Sequence, residues 1–287
     1  MAITNFIPEI WSAAVAQALQ EQAVIAPIVN REYEGDARRG NQVNITGVIV
    51  PTVKDYATGE AGIPRTTSAE DLSDDGDSLL INQEKAFDFH VDDIDRVQAA
   101  GSFEAWTTAA GRALANDADA YIAAQMVGGG TPLATSITDV LGATNPGDAA
   151  HTVLRDARKA LNKANIPSGN RFAVINAEFE AALLSADAKL TSVDTSGSPA
   201  GFREAVLGRY MQFTIVTSNL LPEQDAPQAV FFWQPAVAYV SQIDQVEGMR
   251  SHTKFADRIR GLHVYGAKVL TVANYQLGVQ VYSEATS

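Results

Sequence analysis

An α+β fold is predicted by three features of the sequence: two helical stretches with one apolar side each occupy its middle, short buried strands alternate with a further helix after them, and the C-terminal part is strand-rich. The first helix, over residues 102–127, has Ser102 as its N-cap and Phe103, Trp106, Ala110, Ala113, Leu114, Tyr121, Ile122 and Met126 mostly on one side. It is roughly 38 Å long at about 1.5 Å per residue. Gly128-Gly129-Gly130 ends it and reads as a flexible joint. The second helix, over 148–164, carries Val153, Leu154, Ala157, Leu161 and Ala164 on one face and stops at Ile166-Pro167. Residues 172–175 then read as a buried strand, 177–186 as a helix and 213–216 as a strand. Strands follow at 229–232, at 237–240 and within 261–282, where Val264, Val269, Leu270, Val272, Tyr275, Val279 and Val281 dominate.

The N-terminal part is organised differently. Pro8 and Glu9 suit a helix first turn, and Ile10, Trp11, Val15, Ala18 and Leu19 follow at helical spacing, predicting a helix over 8–23. Residues 30–35 read as irregular and polar before Val43, Ile45, Val48, Ile49 and Val50 announce a strand, so this region is an arm rather than a domain. Residues 54–77 hold seven acids, two bases and scattered apolar residues too few to fill a core. They are expected to project into solvent or onto a neighbour. Beyond Leu79, Phe87, Phe89 and Val91 alternate with Asp88, His90 and Asp92, as a strand with one wet face requires. Strand, acidic excursion and returning strand predict a protruding hairpin.

Composition bounds the function. The chain has 287 residues, 46% hydrophobic and 19% charged, which suffices for a sizeable core and lies outside the disordered range. No cysteine is present, which excludes disulfides, thiolate metal sites and cysteine nucleophiles and fits a reducing compartment. No apolar run reaches the roughly 20 residues of a membrane span, and the start lacks the basic and apolar regions of a signal peptide, so no membrane contact is expected and the protein is expected in the cytosol. The net charge of −13 disfavours sequence-specific DNA binding unless bases gather on one face.

A search for chemistry finds fragments. The glycines at 128–130 lack the lysine of a phosphate cradle. Asp194-Thr195-Ser196-Gly197 misses the aspartic-protease turn by one inserted residue and has no second copy. His90, Asp92, Asp93 and Asp95 are the residue types of a divalent-metal site, but Asp92 to Asp95 read better as caps of the turn into the next helix. Asp71, Ser73, Asp75 and Gly76 copy the first half of a calcium loop, but Asn82 stands where the bidentate glutamate belongs. His151, His252 and His263 are scattered, without a serine elbow. No cofactor is called for. The basic cluster Arg250, His252, Lys254, Arg258 and Arg260 reads either as a solvated face or as an electrostatic contact with the 54–77 segment of a neighbouring copy.

The order of arm, protruding hairpin, long helix and mixed domain resembles the major capsid proteins of tailed bacteriophages, which have the Hong Kong 97-type fold. The likeness is carried by Phe6-Ile7-Pro8-Glu9-Ile10-Trp11, Val29-Asn30-Arg31-Glu32-Tyr33-Glu34-Gly35, Gly40-Asn41-Gln42-Val43-Asn44-Ile45 and Phe89-His90-Val91-Asp92-Asp93-Ile94-Asp95. Ala164-Asn165-Ile166-Pro167, residues 171–176 and Arg258-Ile259-Arg260-Gly261-Leu262-His263-Val264-Tyr265-Gly266-Ala267-Lys268 extend it over almost the whole chain, in the manner of the actinobacterial-virus branch. Ala177 departs from an expected proline. The resemblance implies an N-arm at 1–39, an extended loop at 40–91, a peripheral domain at 92–165 and 262–287 with its spine helix at about 102–127, and an axial domain at 166–261.

It further implies a homo-oligomer: hexamers and pentamers of an icosahedral virion shell, assembled in the host bacterial cytoplasm around double-stranded DNA, with no enzymatic role. Phe6, Ile7 and Trp11 would dock the arm on one neighbour. Lys54, Asp55, Arg65, Asp74 and Asp75 of the loop, and Arg250, Lys254, Arg258 and Arg260, would contact others. Some members join subunits through a loop lysine. Here Lys54 and Lys85 lie only at the loop's base, so no such isopeptide bond is expected, and Met1 directly before the arm implies that any scaffolding protein is separate, as portal and decoration proteins are. The alternatives are an encapsulin shell of the same fold, a tail or decoration protein, and a metal-dependent hydrolase using His90, Asp92 and Asp95.

Overall fold

The computed structural model describes residues 23–38, 40–48, 53, 69, 71, 74–93, 104–185, 208–251, 253–272, 275 and 277–284. The predicted helix at 8–23 lies outside them save for Ala23, as do Ser102 and the Asp194 to Gly197 segment. Helices and strands are mixed as predicted. A six-stranded sheet runs in the order β4 (Thr131–Pro132), β11 (Val279–Ser283), β8 (Gln228–Trp233), β5 (Arg171–Ile175), β7 (Phe213–Thr217) and β6 (Arg209–Tyr210). The β5–β7 and β4–β11 pairs are parallel and the rest antiparallel.

Both faces of this sheet are covered, which is why its strands read as continuous apolar runs. Along β8, Ala229 and Phe231 point into one core while Val230 and Phe232 point into another. The first core is closed by α2 (Pro146–Lys163) through Val153, Leu154, Ala157 and Leu161 and by α3 (Ala177–Leu183) through Phe179, Ala182 and Leu183. The second is closed by the long helix α1 (Glu104–Gly129) through Ala118, Ile122, Ala123 and Met126.

A second, three-stranded antiparallel sheet has the order β3 (Gln83–Asp92), β10 (Ala256–Val269), β9 (Val237–Arg250). A two-stranded ribbon pairs β1 (Gln42–Val48) with β2 (Asp74–Leu80). Val43, Ile45, Leu79 and Ile81 pack it on Ala238, Val240, Val264 and Leu270.

Several expectations are corrected. The polar segment expected to be irregular is a 3-10 helix, Glu32–Arg38, whose Glu32 and Glu34 suit its positive N-terminal end. The hairpin that flanks the acidic excursion is β1 with β2, not with the Phe87 strand. β3 turns away after Ile81 and pairs with β10, with Phe89 opposite Ile259. β9 runs to Arg250 rather than to 240, and β10 begins at Ala256 rather than 261; these polar strand ends are held by cross-strand charge pairs, Arg250 with Asp257 and Arg260 with Glu247, where the sequence shows no apolar run. The helix at 177–186 ends at Leu183.

Gly129 and Gly130 are a close-packed helix end rather than a joint. A Cβ on Gly130 would sit 2.5 Å from Val281 Cγ2 and 2.6 Å from the Met126 carbonyl, and one on Gly129 would lie 3.0 Å from Val269 Cβ. The expected boundary at 165/166 separates α2 from β5, which share one core, and the one at 261/262 cuts β10 in mid-strand. β11, expected in the peripheral part, belongs to the six-stranded sheet.

Candidate assembly surfaces

The arm enters the fold through one carboxylate. On the buried face of α1, among Leu114, Ala115, Ala118 and Ile122, stands Asp119, only 1% exposed. A buried charge there requires donors, and it finds three backbone N–H groups: Val24 at 2.6 Å, Ile25 at 3.0 Å and Ala26 at 2.9 Å. Asp119 thereby satisfies the free N–H groups that open the short 3-10 turn Ala26–Ile28. Ile25 and Val29 are buried beside it. Asn30 then bridges to β9, donating to the Val237 carbonyl and accepting from the Tyr239 N–H, both at 2.9 Å. The Arg31 guanidinium lies 5.8 Å from the centre of the Tyr239 ring. Burial raises the Tyr239 pKa, keeping the phenol neutral.

The root of the loop is fixed by a second buried acid. Asp77, in β2, pairs with the Lys268 ammonium and accepts from Thr271 N (2.9 Å) and Thr271 Oγ1 (3.0 Å). Burial pushes its pKa up, but the Lys268 contact and the hydrogen bonds from Thr271 and Ser78 outweigh burial and hold it below the usual value. Lys268 also donates to the Ser78 carbonyl at 2.9 Å. Gly266 admits the Leu80 carbonyl where any Cβ would collide. Lys85, at the base of the loop, lies 3.5 Å from Asp117, whose other oxygen accepts from Tyr265 OH at 2.6 Å. Asn82, which the calcium-loop reading placed last, accepts from Tyr121 OH, and the segment before it is the strand β2 rather than a loop between helices.

The basic cluster becomes a cross-strand ladder within the chain. Arg258 engages Asp88, with Nε to Oδ1 at 2.8 Å, and Arg260 reaches Glu247 at 2.5 Å. Arg250 spans Asp93 (2.8 Å) and Asp257 (3.0 Å). Arg258 holds the Asp88 carboxyl below its usual range, chiefly by that hydrogen bond. Three of the four bases expected to reach a neighbour are thus engaged internally. Lys254 and Phe255 are exposed at the hairpin tip, Phe255 82% so.

Asp74 and Asp75 begin β2, and Asp71 is exposed. Phe6, Ile7, Trp11, Lys54, Asp55, Arg65, Asp95 and His252 lie outside the described residues. Among the described residues no group of three or more histidines and acids is placed to hold a metal, and no helix is long and apolar enough to cross a membrane. His151 meets the Tyr210 ring edge-on at 5.9 Å. His263 is buried, its Nε2 3.2 Å from Ser241 Oγ and 3.4 Å from Tyr239 OH. Sequence reasoning missed Asp119 and passed over Asp77 as one acid among seven. The available signal was helical phase, since Asp119 falls inside the apolar stripe of α1.

Residues 80–279 match the family model described as "Phage capsid protein". No curated protein sequence matches the chain. Among solved structures it is 49% identical to a chain from Mycobacterium phage Che8, with 93% of each chain covered and a TM-score of 0.80. A chain of the capsid of Cyanophage P-SCSP1u is 17% identical, covering 87% of this chain and 85% of that one, at a TM-score of 0.69. A virus-like particle from Pyrococcus furiosus is 14% identical, covering 96% and 98% at 0.58, a likeness of fold alone.

Proposed function

The chain belongs to the family of phage capsid proteins, and on that premise we propose that its copies form hexamers and pentamers that close an icosahedral shell around double-stranded DNA. As a major capsid protein it builds the shell of a virion, and its role is structural rather than catalytic. The observation that supports the finer reading is the pair of fixed roots. Buried Asp119 and Asp77 anchor the base of an arm and of a loop whose sequence over 54–73, between the paired strands, is poor in apolar side chains and cannot form a core of its own. Neighbouring copies supply that burial, with Phe6, Ile7 and Trp11 docking the arm and Lys54, Asp55, Arg65, Asp74 and Asp75 docking the loop.

The grouping of cores supports a division of labour. The axial part, α2 and α3 on one face of the six-stranded sheet, lines the ring centres, the β3-β10-β9 sheet belongs to the peripheral part, and α1 shares one core with both sheets. Of the basic cluster, Lys254 at the hairpin tip is the member turned to a neighbour, while Arg250, Arg258 and Arg260 are paired with acids of their own chain. Assembly takes place in the host bacterial cytoplasm with separate scaffolding, portal and decoration proteins, and without isopeptide bonds.

Negative-stain electron microscopy of the purified protein, with nucleic-acid absorbance of particles from the natural source, tests this. Closed icosahedral shells carrying DNA are expected, and shells carrying protein cargo would transfer the chain to the encapsulin class. A monomer under every condition would refute the assembly reading. A subunit-sized band on a denaturing gel is expected, and a ladder of multimers would overturn the absence of crosslinks.

A further inference from the structure

The outer face of α2 gathers positive charge in this acidic chain. Arg155, Arg158, Lys159 and Lys163 stand at i, i+3, i+4 and i+8, which helical geometry places on one side, opposite the buried Val153, Leu154, Ala157 and Leu161. With Asn162 they line a shallow groove of about 500 Å³. Just beyond the helix Arg171 is buried, and its guanidinium donates to the carbonyls of Ile166 (2.5 Å) and Pro167 (2.8 Å) and to Asn162 Oδ1 (2.9 Å), all neutral acceptors. From 155 to 171 the sequence sets five bases against one acid. That acid, Asp156, lies 3.3 Å from Arg155, is itself nearly buried and accepts from Thr135 Oγ1. The face therefore differs from the arginines of β9 and β10, each of which meets a carboxylate across its sheet.

We propose that this face of α2 binds the phosphate backbone of the nucleic acid enclosed by the shell; the proposal rests on the capsid reading above. From Arg155 to Lys163 the helix advances about 12 Å, a length over which a duplex carries about seven phosphates. Contacts limited to phosphates position a duplex without reading its sequence. Arginine suits a protein or a phosphate partner alike, but a subunit contact fits the face less well because protein interfaces are depleted in lysine, of which the groove has two, and the groove has no aromatic or apolar anchor.

The test is fluorescence anisotropy of a labelled duplex of about 30 base pairs with unassembled full-length subunits, titrated across a range of salt concentrations, comparing wild type with the combined variant R155Q/R158Q/K159Q/K163Q. Wild type is expected to bind with strong salt dependence. The variant should lose about 0.9 from the log–log slope per contact, about 3.6 in all, with at least a tenfold weaker affinity at low salt. Circular dichroism and shell formation monitor its fold. An unchanged slope, or a wild type that does not bind, overturns the proposal. A variant that binds DNA normally but no longer assembles also overturns it and gives the face to a protein neighbour. Failure of wild type to form shells would instead strike at the capsid reading, whereas normal shells with an unaltered slope sink only this proposal.

Discussion

Substituting Asp119 by alanine should release the root of the arm. The carboxylate is 1% exposed and accepts from three consecutive backbone N–H groups, of which those of Ile25 and Ala26 are buried while Val24 is half-open to solvent. Removing it leaves two buried donors without acceptors, each costing about 1–3 kcal/mol, and relief of the carboxylate's own desolvation offsets part of that. The net expectation is a loss of about 3 kcal/mol from the docking of residues 24–29 onto α1. Hydrogen exchange reads this locally. The Ile25 and Ala26 amides should lose about two orders of magnitude of protection, since about 1.4 kcal/mol is tenfold, while the amides of β5 and β8 keep theirs. D119N should be nearly as damaging, because its amide NH₂ faces donors rather than acceptors. Unchanged protection at Ile25 and Ala26 in D119A would refute the argument that this carboxylate holds the arm.

Three further outcomes follow from the geometry. Asp77 has a folded pKa depressed below its unfolded value of about 4; its contribution is therefore full above that value and is lost as pH falls through the lower, folded one, and proteolysis between β1 and β2 should rise on acidification in wild type but be high and flat in D77N. Gly130→Ala must push Val281 or the Met126 carbonyl aside and should cost about 1–3 kcal/mol, measured by urea unfolding, with an unchanged midpoint counting against the close approach. R258A removes a pair whose two side chains are 39% and 41% exposed, so its melting temperature should match wild type, and a large drop would mean the ladder is structural after all.

The fold was legible where periodicity was strong. The apolar stripe of α2 announces its helix because burial on one side needs a fixed period, whereas β5 and β8 announce themselves as short continuous apolar runs because both their faces are buried. What escaped was partnership across the chain. That β1 takes β2 and leaves β3 to β10 is decided by which strand completes the Val43, Leu79, Val264 and Leu270 core, and local alternation in β3 is equally compatible with either partner. The arginines at 250, 258 and 260 looked available to a neighbour because their acids, Asp93, Asp88 and Glu247, become adjacent only through strand register. Arm and loop tips, including Phe6, Trp11 and Arg65, were identified by what their sequence cannot bury, an argument that names a need without naming the surface that meets it.

The two roots share one rung of the β9–β10 hairpin. Asn30 bridges to Ala238, Ala238 pairs with Lys268, and Lys268 grips Asp77, so the arm, two strands and the loop root lie on a single line across the sheet. Val237 and Tyr239, whose backbone groups hold Asn30, also pack in the core against α1 that Asp119 enters. Displacing the β9–β10 pair as one body would therefore carry both roots with it, because Asn30 is bonded to β9 and Asp77 to Lys268 of β10. The 14-residue strands carry this rung at one end and the exposed Phe255 tip at the other. The arm root, the loop root and the hairpin tip are thus joined through one pair of strands, so their relative placement is set together.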